Sequence, residues 1–391
     1  MAASAVAPVA PKVDIRGMSR LSLGHMFVDL CQGSVPALLP TLIAAHHLNL
    51  ASATSLVSIG AIGSAVIQPI FGIWSDRITA PWLAPLGVLL AALGIAAVGL
   101  CHTYSALAAA IAISGIGVAL FHPEGARMAH IVGGGNVKGM SYFSVGGNFG
   151  FALGPVAVLL ILAIAGVSGT PLLAIPGLLI ALLLAREVGN LGKRAGQHAR
   201  STAGSTDLPE SQWRPFAQLL VAAVARTVPF YALLAFIPIY AIHHLGAAHG
   251  LANTLLTITL LGGATGTLIG ARCADRFGKR LVLVGAMLPL ALLLALLPHL
   301  GMAGLIVALI ATGFAIDAPF ATTVVLGQQY LPRRPGLASG ITLGFAIGVG
   351  SLIATGLGGL ADAIGVHATL ELLPLFALLA LLSVVTLPDP R

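Results

Sequence analysis

The sequence predicts an all-α integral membrane protein with twelve transmembrane helices in two pseudo-symmetric six-helix halves. Three observations carry this. First, 58 % of the 391 residues are hydrophobic and only 8 % are charged, with a mean hydropathy of +1.00; a soluble globular chain carries about 25 % charged residues. Second, the apolar runs are continuous rather than alternating, which points to helices and not to a barrel. At roughly 20 residues per span plus short loops, the length suits about twelve spans. Third, with twelve helices the loop Lys and Arg all fall on one side: Lys12, Arg16 and Arg20; Arg77; Lys138; the stretch 186–214; Arg272 to Arg280; Arg333 and Arg334; and Arg391. Basic loops stay in the cytoplasm, so both termini are expected there.

The first 17 residues are Ala/Pro-rich, lack a cleavable apolar core and read as a cytoplasmic tail,. Residues 18–185 form the expected first half. The first helix, about Met18 to Ala45, carries His25, Asp29 and Gln32 on one face, because they are spaced by four and three,. The second, about Ala51 to Trp74, ends in Gly72-Ile73-Trp74-Ser75-Asp76-Arg77. The third covers about Pro81 to Leu100.

The fourth, about Tyr104 to His130, has no charged residue from Ser105 to Phe121 and then reads His122-Pro123-Glu124-Gly125-Ala126-Arg127. A carboxylate at the centre of a bilayer costs about 2.5–3.5 kcal/mol on insertion scales, so Glu124 is expected to face protein or water. Arg127, three residues on, is its expected counter-ion, and Pro123 favours a kink beside the charge. The alternative is a helix end already among the headgroups, with Arg127 snorkelling.

In the fifth helix, about Gly139 to Ala165, Gly146, Gly150 and Gly154 recur every four residues, followed by Pro155. Small residues at that spacing let helix backbones approach closely. The sixth runs from about Thr170 to Leu184. Residues 186–214 hold Arg186, Lys193, Arg194, Arg200 and Arg214 among Ser, Gly and Thr, and read as a linker. Residues 215–387 form the second half. Its first helix, about Phe216 to Ile242, carries Arg226 well inside. The next, about Leu251 to Cys273, ends in Asp275-Arg276-Phe277-Gly278-Lys279-Arg280. The tenth, about Met302 to Tyr330, carries Asp317 close to Pro319. The eleventh, about Gly336 to Ala361, repeats a glycine ladder at Gly340, Gly344 and Gly348.

The Asp-Arg pairs and the glycine ladders each recur after about 200 residues, as a duplicated half would give,. The opposite loops collect His46, His47, His102, His243, His244, His249, His299 and His367. These read as polar loop ends or as a pH-sensing surface.

Gly72-x-x-x-Asp76-Arg77 and Asp275-Arg276-x-Gly278-Lys279-Arg280 resemble the loop motif of the major facilitator superfamily. In that family the Asp pairs with a neighbouring helix end and helps hold one closed state. Gly150-x-x-x-Gly154-Pro155 resembles the fifth-helix motif of its proton-driven antiporters. Within the superfamily, four segments are similar to the fosmidomycin resistance proteins. They are Gly24-His25-x-x-x-Asp29-x-x-Gln32, Phe121-His122-Pro123-Glu124-x-x-Arg127, Val145-Gly146-Gly147-Asn148-Phe149-Gly150-x-x-x-Gly154-Pro155 and Leu331-Pro332-x-x-x-Gly336-x-x-Ser339-Gly340. The resemblance implies a bacterial inner-membrane exporter driven by proton entry that removes fosmidomycin and other small antibiotics.

No Gly-x-x-x-x-Gly-Lys-[Ser/Thr] segment occurs, so ATP is not the expected energy source, and an ion gradient is,. Asp29 and Glu124 are the expected proton carriers, with His25 tuning Asp29 and Arg127 holding Glu124. Gln32, His122, Asn148, Arg226 and Asp317 are the candidate substrate-binding residues, the last two as a buried polar pair. An anionic phosphonate would be drawn to Arg226 and to charged His25 or His122. Cys31, Cys101 and Cys273 lie far apart and suggest neither a metal motif nor a disulfide framework,. No cofactor, resident metal or nucleic-acid partner is expected; the partners are a small-molecule drug, protons and the bilayer, acting on a monomer. The competing readings are a proton symporter importing a small organic acid, a non-transporting membrane sensor, and a membrane enzyme. The last lacks a nucleophile–base pair.

Overall fold

The structure, a computed structural model, describes residues 13–48, 50–78, 80–203 and 209–390. Most of the expected tail, including Lys12, lies outside the described residues, as does Arg391. Sixteen α-helices follow in order: α1 (Ile15–His46), α2 (Leu50–Arg77), α3 (Leu83–Ala97), α4 (Tyr104–Val132), α5 (Val137–Ala165), α6 (Ala174–Ala185), α7 (Val188–Ala203), α8 (Trp213–Leu245), α9 (His249–Phe277), α10 (Lys279–Leu296), α11 (Met302–Asp317), α12 (Phe320–Tyr330), α13 (Pro335–Ser339), α14 (Ala346–Ile364), α15 (Val366–Leu370) and α16 (Leu373–Val385). No strand occurs among the described residues. Among the described residues, eleven helical stretches are long and apolar enough to cross a membrane, and α2 stands beside them as a further helix of 28 residues. Leucines and isoleucines such as Leu159, Ile164 and Leu382 stand on the outside of the bundle, where lipid takes the place of a core,.

Local chemistry starts the helices. Asp14 caps α1 by accepting from Gly17 N at 3.2 Å, Thr103 caps α4 through Ala106 N at 3.2 Å, and Asn136 caps α5 through Gly139 N at 2.6 Å. Each satisfies a donor that the first turn leaves free. The tenth expected helix is broken. Pro319 has no N–H to continue the ladder, and the chain turns at Ala318-Pro319 between α11 and α12,. The eleventh loosens into a π-helical segment, Gly340–Phe345, between α13 and α14. The polar stretch read as a linker contains the helix α7. Arg194 of α7 pairs with Asp14 at 3.0 Å, and Arg20 of α1 pairs with Glu187 just before it.

Two buried apolar clusters mark the two halves. The first gathers α1 to α6 and runs into the second half through Ala271, Ala321, Val324 and Val325; the other fills α8 to α16. The halves are therefore packed together at one end of the bundle, the end that carries Asp14, α7 and the basic loops. We call it the basic end, and the opposite one the histidine end.

The loop motifs close this seam. Asp76, at the end of α2, accepts from Gly336 N at 2.6 Å and Leu337 N at 2.9 Å in α13. Asp275, at the end of α9, accepts from Val137 N at 3.1 Å and Lys138 N at 2.9 Å in α5. Each carboxylate thus caps the start of a helix in the other half, where free N–H groups and the helix dipole both favour an anion. A Cβ on Gly72 would stand 2.5 Å from the Gly336 carbonyl, so this approach needs glycine. Gly278 ends α9 with φ +98°, a conformation glycine adopts without strain,. Arg77 is exposed, and Arg276 lies over the Phe277 ring at 5.1 Å; neither joins the seam. Losing a cap costs about 0.5–2 kcal/mol. We therefore expect Asp76→Ala and Asp275→Ala each to shift the seam toward opening by roughly 2- to 30-fold. Cysteine labelling at the basic end should rise and turnover should slow, with substrate affinity little changed; lost equilibrium binding with normal turnover would contradict this.

The glycine ladders do not play the equivalent roles that a simple duplication suggests. Gly146, Gly150 and Gly154 of α5 abut the α1 backbone at Ser22, Met26 and Leu30, inside the first half. Gly340, Gly344 and Gly348 abut Gln68 and Ala65 of α2, across the seam. A further ladder, unrecognised in the sequence, packs Gly262, Gly266 and Gly270 of α9 on the α11–α12 backbone at Ile310, Phe314 and Ala318. Pro155 faces outward.

Candidate functional site

Polar side chains inside the bundle gather into three groups. The first lies on α1, α2 and α4. Asp29 Oδ2 is 3.3 Å from His25 Nε2, and Asp29 Oδ1 is 3.1 Å from His122 Nε2. His122 Nδ1 meets the Gln68 amide nitrogen at 3.3 Å, and His25 Nδ1 meets the Phe143 carbonyl at 2.8 Å. His25 also stacks on the Phe143 ring, with centroids 4.1 Å apart. Gly147 closes the remaining side: a Cβ there would stand 2.5 Å from both Asp29 Oδ2 and His25 Nε2.

These contacts account for the protons one by one. A carbonyl only accepts, so His25 Nδ1 carries a proton and donates it to Phe143. A neutral His25 then turns a bare lone pair toward the Asp29 carboxylate, and two lone pairs repel. The contact bonds only when a proton sits between them, on Nε2 or on Asp29. The His122 side needs no such addition, because Gln68 donates to Nδ1 and Nε2–H donates to Asp29. The His25–Asp29 contact is thus satisfied only with one proton beyond the neutral imidazoles and the ionised carboxylate,. The three donor atoms could also hold a cation, since they lie within 4.8 Å of one another; a proton is the one their other hydrogen bonds account for.

The second group is Glu124, Arg127 and Ser75. Arg127 donates to Glu124 through Nε at 3.0 Å and Nη2 at 2.8 Å. Ser75 donates to Glu124 at 2.5 Å and accepts from Arg127 Nε at 3.1 Å. Glu124 is fully buried. Its partners all stand beside the Asp76 cap, so Glu124 belongs to the seam at the basic end. The two expected proton carriers, Asp29 and Glu124, lie in separate groups, and it is His122 that contacts Asp29. The physical reason is helical spacing, which turns His122 and Glu124 to different sectors of α4.

The third group lies in the second half. Arg226 of α8 donates through Nη1 to the Ile316 carbonyl at 2.9 Å and to Asp317 Oδ1 at 3.3 Å. Its guanidinium lies 5.3 Å from the centre of the Phe320 ring. The break after α11 frees the Ile316 and Asp317 carbonyls from helical bonding, and Arg226 and Thr267 take them,. Arg226 Nε is buried without a hydrogen-bond partner, so one donor of the fork remains for something else. The pair Arg226–Asp317 occupies helices that correspond to those of Asp29–His122, with the acid moved to the other helix.

Two expected residues stand apart. Asn148 donates to Thr267 at 3.2 Å and joins α5 to α9; it is placed in the seam and not in the Asp29 group. Gln32 is half-buried and makes no side-chain hydrogen bond among the described residues. Gln68, Ser75, Gly147, Thr267 and Phe320 are not among the expected site residues. Gln68 carried a signal, a lone amide inside an apolar run. The Phe143 carbonyl carried none, because every residue has one.

The Major Facilitator Superfamily family model matches residues 21–246 and 216–391. The chain is a member of the major facilitator superfamily. Among curated superfamily proteins, it is 31 % identical over 376 residues to the uncharacterized MFS-type transporter YfnC of Bacillus subtilis, covering 93 % of this chain and 91 % of that one. It is 29 % identical over 385 residues to the fosmidomycin resistance protein of Escherichia coli, covering 96 % and 93 %. Among solved structures, the fucose:proton symporter FucP of E. coli superposes with a TM-score of 0.75 at 16 % identity, over 97 % of this chain and all of that one. A bacterial homologue of the iron transporter ferroportin, in an outward-facing state, gives 0.73 at 16 % identity, over 95 % and 99 %. These two establish the fold. As a facilitator-superfamily protein, the chain is a multi-pass membrane transporter and not an enzyme.

Proposed function

We propose that this transporter is a proton-coupled antiporter that exports fosmidomycin and related small phosphonate antibiotics from the bacterial cytoplasm, with both termini and the basic end on the cytoplasmic side of the inner membrane. The observation that carries the coupling is the 3.3 Å contact between His25 Nε2 and Asp29 Oδ2, which becomes a hydrogen bond only with a proton between them,. A half-buried carboxylate between two imidazoles, able to take up and release a proton, is a carrier that a gradient can load and unload,. The free Nε donor of Arg226 supports an anionic substrate, since guanidinium pairs strongly with phosphonate-type oxygens,. Similarity to the fosmidomycin resistance protein supports the drug class. The seam closed by Asp76 and Asp275 fits the state that faces away from the cytoplasm.

Inside-out vesicles with an acidified lumen test this. Added fosmidomycin should draw protons out of the lumen and restore the fluorescence of a pH-sensitive dye. Further quenching would instead mean symport, and no response would remove fosmidomycin as the substrate.

A further inference from the structure

We propose that His299, His367 and Glu371 form a binding site for a divalent transition-metal cation, Zn²⁺ by its ligand set, at the histidine end of the second half. Two of the outer-loop histidines, expected as polar loop ends or as a pH-sensing surface, are here brought together with a carboxylate. One donor atom from each of the three residues lies within 4.8 Å of the other two. His367 Nε2 is 3.3 Å and His299 Nε2 is 3.9 Å from Glu371 Oε1. Two ligands about 2.0 Å from a tetrahedral Zn²⁺ stand about 3.3 Å apart. The His367–Glu371 pair already has that spacing, and His299 Nε2 stands 3.9 Å from the same carboxylate oxygen, close enough to join it by a small side-chain adjustment,. Two imidazoles and one carboxylate leave a fourth position for water, as in many open zinc sites.

The site is built rather than incidental. His367 and Glu371 are four apart, across the end of α15,. His299 ends the turn Leu297–His299 between α10 and α11. The buried Tyr240 of α8 donates to the Pro298 carbonyl at 2.7 Å, which fixes that turn against the bundle. His244 stacks on Tyr240 at 4.9 Å and on His367 at 5.8 Å. Such neighbours restrict ring orientation and lower the cost of gathering the ligands. All three ligands belong to the second half, so a bound ion would staple the loops at this end without locking the halves together. The site is independent of the substrate and coupling proposed above.

The test is Zn²⁺ titration of the purified full-length protein in detergent, read by calorimetry, by melting temperature and by the visible absorption of bound Co²⁺. One saturable ion per chain and a melting temperature raised by several degrees are expected. His299→Ala, His367→Ala and Glu371→Gln should each weaken binding at least tenfold. Their side chains are all partly exposed, and unchanged melting in chelator would verify folding. The His122→Ala variant should bind Zn²⁺ like wild type. Absence of saturable binding overturns the proposal, as does binding that survives the His299/His367 double substitution, which would place the ion among the other histidines.

Discussion

Asp29→Asn is expected to eliminate the proposed proton-driven transport while leaving the protein folded in the membrane. The amide reproduces both contacts of the carboxylate: its oxygen accepts from His122 and its nitrogen donates to the bare Nε2 of a neutral His25,. Every hydrogen bond is then satisfied, with no removable proton between them. A typical hydrogen bond contributes about 0.5–1.5 kcal/mol net, so exchanging like for like should change stability by less than about 1 kcal/mol. Proton flux in vesicles should fall to background, whereas drug exchange with no gradient should continue. Wild-type proton flux from the Asp29→Asn protein would remove Asp29 as the carrier.

The second large effect concerns Arg226 and Asp317. Both are buried, and Arg226 makes two contacts at the break after α11. Removing one partner of a buried pair typically costs about 3–5 kcal/mol, because a charge is left uncompensated, and removing both costs less. Arg226→Gln and Asp317→Asn should each lower yield and melting temperature in detergent. The double variant should recover most of both. If Arg226 Nε binds the substrate anion, the recovered double variant does not transport. Full export by it would make the pair structural and hand the substrate to the first half. Equal instability in all three would mean that no charge pair is being compensated.

Composition alone determined the class of this protein, because a chain with so few charges can be stable only where lipid replaces water. The count of spans and the sidedness of the loops followed from the same cause: Lys and Arg avoid the bilayer and gather at one end. Helical spacing also placed His25 beside Asp29 and Arg127 beside Glu124, since residues three or four apart share a face. The helix starts at Thr103 and Asn136 show the same local logic.

What spacing within one helix cannot show is which residue another helix presents to it. His122 and not Glu124 reached Asp29, and the capping partners of Asp76 and Asp275 lay in the opposite half, far away in sequence. Two glycine ladders with one pattern packed on different neighbours. The histidines around Glu371 met only because two distant loops converge at one end of the bundle. What His25 can offer Asp29 was decided by the Phe143 carbonyl, a backbone group that only the packing of α5 on α1 could aim.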